Sequence, residues 1–90
     1  MEIRVLKYFL TVAQEQSFSK AAKVLNVSQP ALSKQIKDLE EEYQITLFNR
    51  TTRSLSLTEE GRLFKEQAKQ IISLVNRTCL LYTSDAADDR

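Results

Sequence analysis

The chain has 90 residues, 42% hydrophobic and 28% charged, with a formal net charge of +1, one Gly, one Pro, one Cys and no His. That length fits one small domain or a fragment of something larger, and so few turn residues exclude a turn-rich β protein. The missing histidine removes Ser–His–Asp triads, imidazole acid–base chemistry and the usual zinc sites; the lone Cys79 cannot close an internal disulfide, and no apolar run approaches the ~20 residues of a membrane span.

The first predicted element is a helix over Glu2–Glu15, with Ile3, Leu6, Phe9, Leu10 and Ala13 on one face at helical spacing. Charges interrupt its apolar pattern, so it is not a signal peptide, and a soluble cytoplasmic protein is expected. A second helix, "SFSKAAKVL", has Ser17 or Ser19 as its cap and Ala21, Ala22 and Leu25 facing inward. "NVS" follows: Asn26 tolerates the left-handed conformation that ends a helix, and Val27 can enter the core.

The third helix opens at "SQPALSKQIKDLE". Ser28 is a good N-cap, its hydroxyl in reach of the Ala31 N–H, and Pro30 falls in the first turn, where a missing N–H costs nothing. Leu32, Ile36, Leu39 and Tyr43 form a narrow apolar stripe. Pro30, Ser33, Lys34 and Lys37 lie opposite, and the first two turns of that polar face, Gln29 included, carry no acid.

Two short extended segments, "TLFNR" and "SLSLT", flank a "TTR" tip, which makes a hairpin with Arg50 and Arg53 near its turn. A long helix begins after Thr58, its cap, with Glu59 and Glu60 suited to the positive end of the helix dipole. Phe64, Ala68, Ile71 and Val75 form one stripe with Ile72 alongside, more apolar surface than a three-helix core needs, so a partner helix is expected. Tyr8, Phe9, Tyr43 and Phe48 read as core or near-core.

Two helices joined by a tight turn, the second with polar donors at its N-terminal end, make a helix-turn-helix, which lays its second helix in the DNA major groove. The basic residues Lys20, Lys23, Lys34 and Lys37, then Arg50 and Arg53, form two local patches in a nearly neutral chain, as a local anionic partner requires, although a solvated surface would carry the same lysines. A helix-turn-helix used as a protein-interaction adaptor or antirepressor is the rival function. It would present an apolar or acidic outer face, whereas this one offers Gln, Ser and Lys. RNA binding would call for an aromatic stacking platform that the sequence does not display, and no pair of acids is spaced as a catalytic dyad.

"LKYFLTVAQEQSFSKAAKVLNVSQPALSKQIKDLE", followed by "LFNRTTRSLSLTEEG", resembles the N-terminal DNA-binding domain of the LysR-type transcriptional regulators, without a gap from about Met1 to Thr78. The resemblance implies a mainly α winged helix-turn-helix over residues 1–57, with a three-helix core and a two-stranded wing. A linker helix over 58–78 would follow and would dimerise the protein. It implies double-stranded DNA as partner, bound by a homodimer at an inverted repeat, and no cofactor or metal. Gln29, Pro30, Ser33 and Lys34 would be recognition-helix contacts, and Arg50 and Arg53 would belong to the wing, with Arg53 at a minor groove or phosphates. With Ser28 and Lys37 these make the candidate DNA-binding set; Phe64, Ala68, Ile71, Ile72 and Val75 make the candidate dimerisation set.

Two departures from the family pattern stand out. Gln44 occupies a position where the family usually has glycine, at a cost of up to ~1 kcal/mol if the left-handed conformation is kept. The chain also lacks the effector-binding domain that senses a small molecule in an intact parent. It ends instead in "CLLYTSDAADDR", residues 79–90, which breaks the seam and reads as a transposase-type sequencing adaptor translated in frame. A non-native tail after Thr78 is therefore expected; without it the chain has 12 basic and 9 acidic residues, a net +3.

Overall fold

Three helices, a two-stranded antiparallel ribbon and a long fourth helix follow one another along the chain: α1 (Ile3–Glu15), α2 (Phe18–Leu25), α3 (Gln29–Tyr43), β1 (Phe48–Arg50), β2 (Leu55–Leu57) and α4 (Glu59–Asp88). The computed structural model describes residues 2–51 and 54–88, with residues 79–88 described in backbone alone.

Each of the first three helices is started or stopped by its own local sequence. Ser17 caps α2 by accepting from the Lys20 N–H at 3.1 Å, so it and not Ser19 is the cap. Ser28 caps α3 in the same way, accepting from the Ala31 N–H at 3.2 Å, and Pro30 sits in the first turn. All three helices end in a left-handed residue that is not glycine: Gln16 (φ 54°), Asn26 (φ 59°) and Gln44 (φ 57°). After Asn26 the Val27 N–H donates to the Ala22 carbonyl at 3.0 Å, which turns the chain and sends Val27 onto the core.

The core gathers Leu6, Phe9 and Val12 of α1, Ala21 and Ala22 of α2, and Leu32, Ile36 and Leu39 of α3. α1 packs against α2, α3 and α4, so a wide face of it is covered. That is why Val5 and Val12 are buried although the expected stripe left them out, and why Ile3, in the first turn, stays 38% exposed. Phe9 stands at the centre: its ring lies 5.4 Å from Phe48 and 5.1 Å from Phe64, and Phe18 packs edge-on to Phe48 at 5.9 Å. Tyr43 corrects the reading of the α3 stripe. It is 44% exposed, because the last turn carries it past the elements that cover Leu32, Ile36 and Leu39.

β1 and β2 pair antiparallel, with Phe48 opposite Leu57 and Arg50 opposite Leu55, so the apolar ends of the ribbon root it in the core. Thr58 then fastens the ribbon to α4. Its hydroxyl donates to the Thr46 carbonyl and accepts from the Gly61 N–H at 2.9 Å, while its own N–H donates to the Leu47 carbonyl at 3.0 Å. Gly61 is buried against that same carbonyl, and a Cβ there would lie 2.2 Å from the Leu47 oxygen. The glycine of "LTEEG" is thus required by close approach, inside a helix.

The single seam expected on α4 divides into two adjoining faces. Phe64, Ala68 and Ile72 pack on the core of the domain, with Ala68 only 1% exposed. Leu63, Ile71 and Leu74 face outward, and Ile71 is 37% exposed. Phe64 and Ala68 therefore do not belong to a free surface: α1 lies across them. The backbone of α4 runs ten residues past Thr78, to Asp88.

Candidate nucleic-acid interface

The exposed front of α3 is set by its own periodicity. Leu32, Ile36 and Leu39 turn inward, which leaves Gln29, Pro30, Lys34 and Lys37 exposed and Ser33 half-buried beside them. Ser28 lies at the edge of this surface, where its hydroxyl already accepts the capping hydrogen bond from Ala31. Two front residues have partners within the chain. The Lys34 Nζ lies 3.0 Å from Asp38 Oδ2, one turn on, in an exposed ion pair. Ser19, on α2, donates its hydroxyl to Gln29 Oε1 at 3.0 Å.

The wing is gripped from the far end of α3. Glu40 is buried, and its Oε2 accepts from the Leu47 N–H at 2.7 Å and the Phe48 N–H at 3.4 Å. Its Oε1 takes an Arg50 guanidinium hydrogen bond at 3.2 Å. The same guanidinium carbon stands 5.5 Å from the centre of the Phe18 ring. Arg50 is thus held between a carboxylate and an aromatic face while its side chain remains 43% exposed. Beyond it, Thr51 closes the approach to the turn by bonding Ser54 through both backbone and hydroxyl. Arg53, named as a wing contact, lies outside the described residues.

Between the two elements runs an open groove of about 400 Å³ lined by Ser17, Ser19, Gln29, Arg50, Thr51 and Ser54. The start of α3 and the turn end of the wing are therefore neighbours in space, although Gln29 and Arg50 are 21 residues apart in sequence. Such an arrangement offers hydrogen-bond donors from a helix end and a guanidinium from a ribbon on one side of the molecule. Among the described residues no three His, Cys, Asp or Glu side chains are grouped to hold a metal ion, and no helix is long and apolar enough to cross a membrane.

Glu40, Phe18 and Asp38 were not among the candidate site residues, and Ser19 was named only as a possible helix cap. Glu40 did leave a signal: it continues the Leu32–Ile36 row by another four residues, so an acid falls where the period asks for an apolar side chain. Asp38 stands four residues after Lys34, the ordinary spacing of a helical ion pair. For Ser19 and Phe18 the partner lies on another element, and no spacing announces it.

The model of the bacterial regulatory helix-turn-helix proteins of the lysR family matches residues 3–62. The HTH-type transcriptional regulator BudR of Klebsiella aerogenes is 54% identical over 74 residues, 82% of this chain and 52% of BudR. The probable cat1 operon transcriptional activator of Acinetobacter lwoffii is 47% identical over 77 residues, 86% of this chain and 25% of that protein. Among solved structures, the BenM DBD in complex with catB site 1 DNA is 43% identical, with a TM-score of 0.90 and 96% of each chain covered. The chain spans about half the length of the first of these curated relatives and about a quarter of the second. With its helix-turn-helix, wing and following helix all matched, this chain belongs to the lysR family of bacterial regulatory helix-turn-helix proteins.

Proposed function

We propose that this chain is the DNA-binding part of a bacterial transcriptional regulator and binds double-stranded DNA in a sequence-specific way. The observation that carries this reading is the acid-free front of the first two turns of α3, with Arg50 of the wing beside it across one groove. The likeness to a BenM domain solved on DNA supports the same reading. In this proposal α3 enters the major groove, where Gln29 and Ser33 meet base edges and Pro30 packs against them. Lys34, Lys37 and Arg50 face phosphates, and Arg53 reaches a minor groove or its flanking phosphates.

The outward face of α4, Leu63, Ile71 and Leu74 with Val75 at its edge, is proposed to pair with the same face of a second copy. A two-fold pair would set two α3 helices one DNA turn apart or a multiple of it, on an inverted repeat. A small-molecule effector belongs to the intact parent protein in this scheme.

Selection of bound duplexes from random DNA by the full chain tests the proposal. Enrichment of an inverted repeat is expected. With about four phosphates engaged per half-site, log K against log salt should fall with a slope of roughly −3 to −4 per half-site. An unenriched pool, or a duplex affinity indifferent to salt, would overturn it.

A further inference from the structure

Gln29 is the first residue of α3 and an exposed polar side chain of the proposed interface, yet a free glutamine is a poor reader. Its side chain turns about several bonds and, left free, visits many positions over a base edge. Ser19 acts on that freedom. Its hydroxyl donates to Gln29 Oε1 at 3.0 Å and would accept from Nε2 were the amide turned over, so it holds the end of the side chain in place in either sense. The bond keeps the amide on the α2 side, and its remaining groups have no other side-chain partner among the described residues.

Three further observations make this a fixed contact between elements. Ser17, not Ser19, caps α2, so the Ser19 hydroxyl is not needed by its own helix. Ala21 and Ala22 are buried at the crossing, and the Val27 N–H to Ala22 carbonyl bond holds the turn, so α2 and α3 keep their spacing. Ser28 caps α3, which leaves the Gln29 side chain unused by its own helix end.

We infer that Ser19 is a specificity-positioning residue: it holds the Gln29 amide at one place on the front of α3, so that Gln29 meets a single base edge of the major groove with its remaining hydrogen-bonding groups. Ser19 itself touches no base. The inference rests on the DNA-binding reading above and adds to it a residue outside the recognition helix.

The test is duplex selection from random DNA with the full chain and with Gln29→Ala, Ser19→Ala and Ser19→Thr, together with affinities for one selected and one random duplex. Gln29→Ala identifies the base pair concerned as the one whose preference it abolishes. Ser19→Ala is expected to cut the preference at that pair about fivefold, the worth of one hydrogen bond. Its affinity for random duplex should stay within about twofold of the parent, while Ser19→Thr, which keeps the hydroxyl, retains the preference. Ser19 is exposed and does not cap its helix, so the fold survives the change. An unchanged preference in Ser19→Ala, or an equal loss on selected and random duplexes, overturns the inference and leaves the DNA-binding reading standing. So does a Gln29→Ala variant with undiminished preference everywhere. A parent that selects no sequence overturns both.

Discussion

Oε1 of Glu40 lies 3.2 Å from Nη2 of Arg50, which ties the last turns of the recognition helix to the first strand of the wing. The second oxygen of the same carboxylate accepts the backbone N–H groups of Leu47 and Phe48. One buried acid therefore does two jobs. It replaces the strand partner that the entry to β1 lacks, and it holds the edge of a guanidinium that also stands over the Phe18 ring. A wing is otherwise a two-stranded ribbon, marginal by itself in water, and its direction relative to α3 depends on such a grip.

Glu40→Ala is expected to cost about 1–3 kcal/mol of folding stability, because it leaves the Leu47 N–H without its acceptor in a buried place. Glu40→Gln keeps an oxygen for that N–H and gives up the pairing with Arg50, so its loss should be smaller. Urea unfolding followed by circular dichroism checks both, and equal midpoints for parent and Glu40→Ala would remove the grip from the account.

In the proposed interface Asp38 would compete with DNA for Lys34. The pair is exposed, with side chains 75% and 53% accessible, so its own contribution to stability is slight. Asp38→Asn releases the ammonium and removes a like charge near the phosphates. Duplex affinity should rise roughly twofold at low salt, equally for selected and random sequences, and the gain should fade as salt rises. Binding titrations at two salt concentrations measure it; a gain confined to one sequence would contradict a phosphate role for Lys34.

The division of α4 into two faces separates two substitutions that the sequence pattern treats alike. Ala68→Asp puts a charge at a position 1% exposed in the core and should unfold or strongly destabilise the domain. Ile71→Asp, on the outward face, should leave the circular dichroism spectrum unchanged and shift sedimentation toward monomer. Should both variants fold and stay associated, the outward face is not where copies meet.

Gly61→Ala tests the close approach of α4 to the wing. The new methyl would meet the Leu47 carbonyl at 2.2 Å, and that carbonyl is held by the Thr58 N–H, so neither side yields easily. A loss of about 1–3 kcal/mol is expected, for an overpacked site. In a domain of this size each kcal/mol lowers the melting temperature by about 4–8 °C. An unchanged melting curve would show that α4 can shift away from Leu47 at no cost.

What the sequence by itself determined is whatever depends on neighbours within about four residues. Ser28 as a cap, Pro30 in a first turn, Asn26 and Gln44 in the left-handed region, and the inward row Leu32–Ile36–Leu39 all follow from local hydrogen bonds and helical period. The turn between α2 and α3, the hairpin and the start of α4 were legible for the same reason. The tertiary structure alone decided what each face meets. Period put Phe64, Ala68 and Ile71 on one stripe, but only the position of α1 across α4 buries the first two and leaves the third outside. Period likewise set Glu40 in an inward row, and only the arrival of β1 supplied the amides and the guanidinium that make a buried acid tolerable there. The bond from Ser19 to Gln29 belongs to the same class. A side chain's spacing states which way it points, while its partner is chosen by the packing of elements distant in sequence.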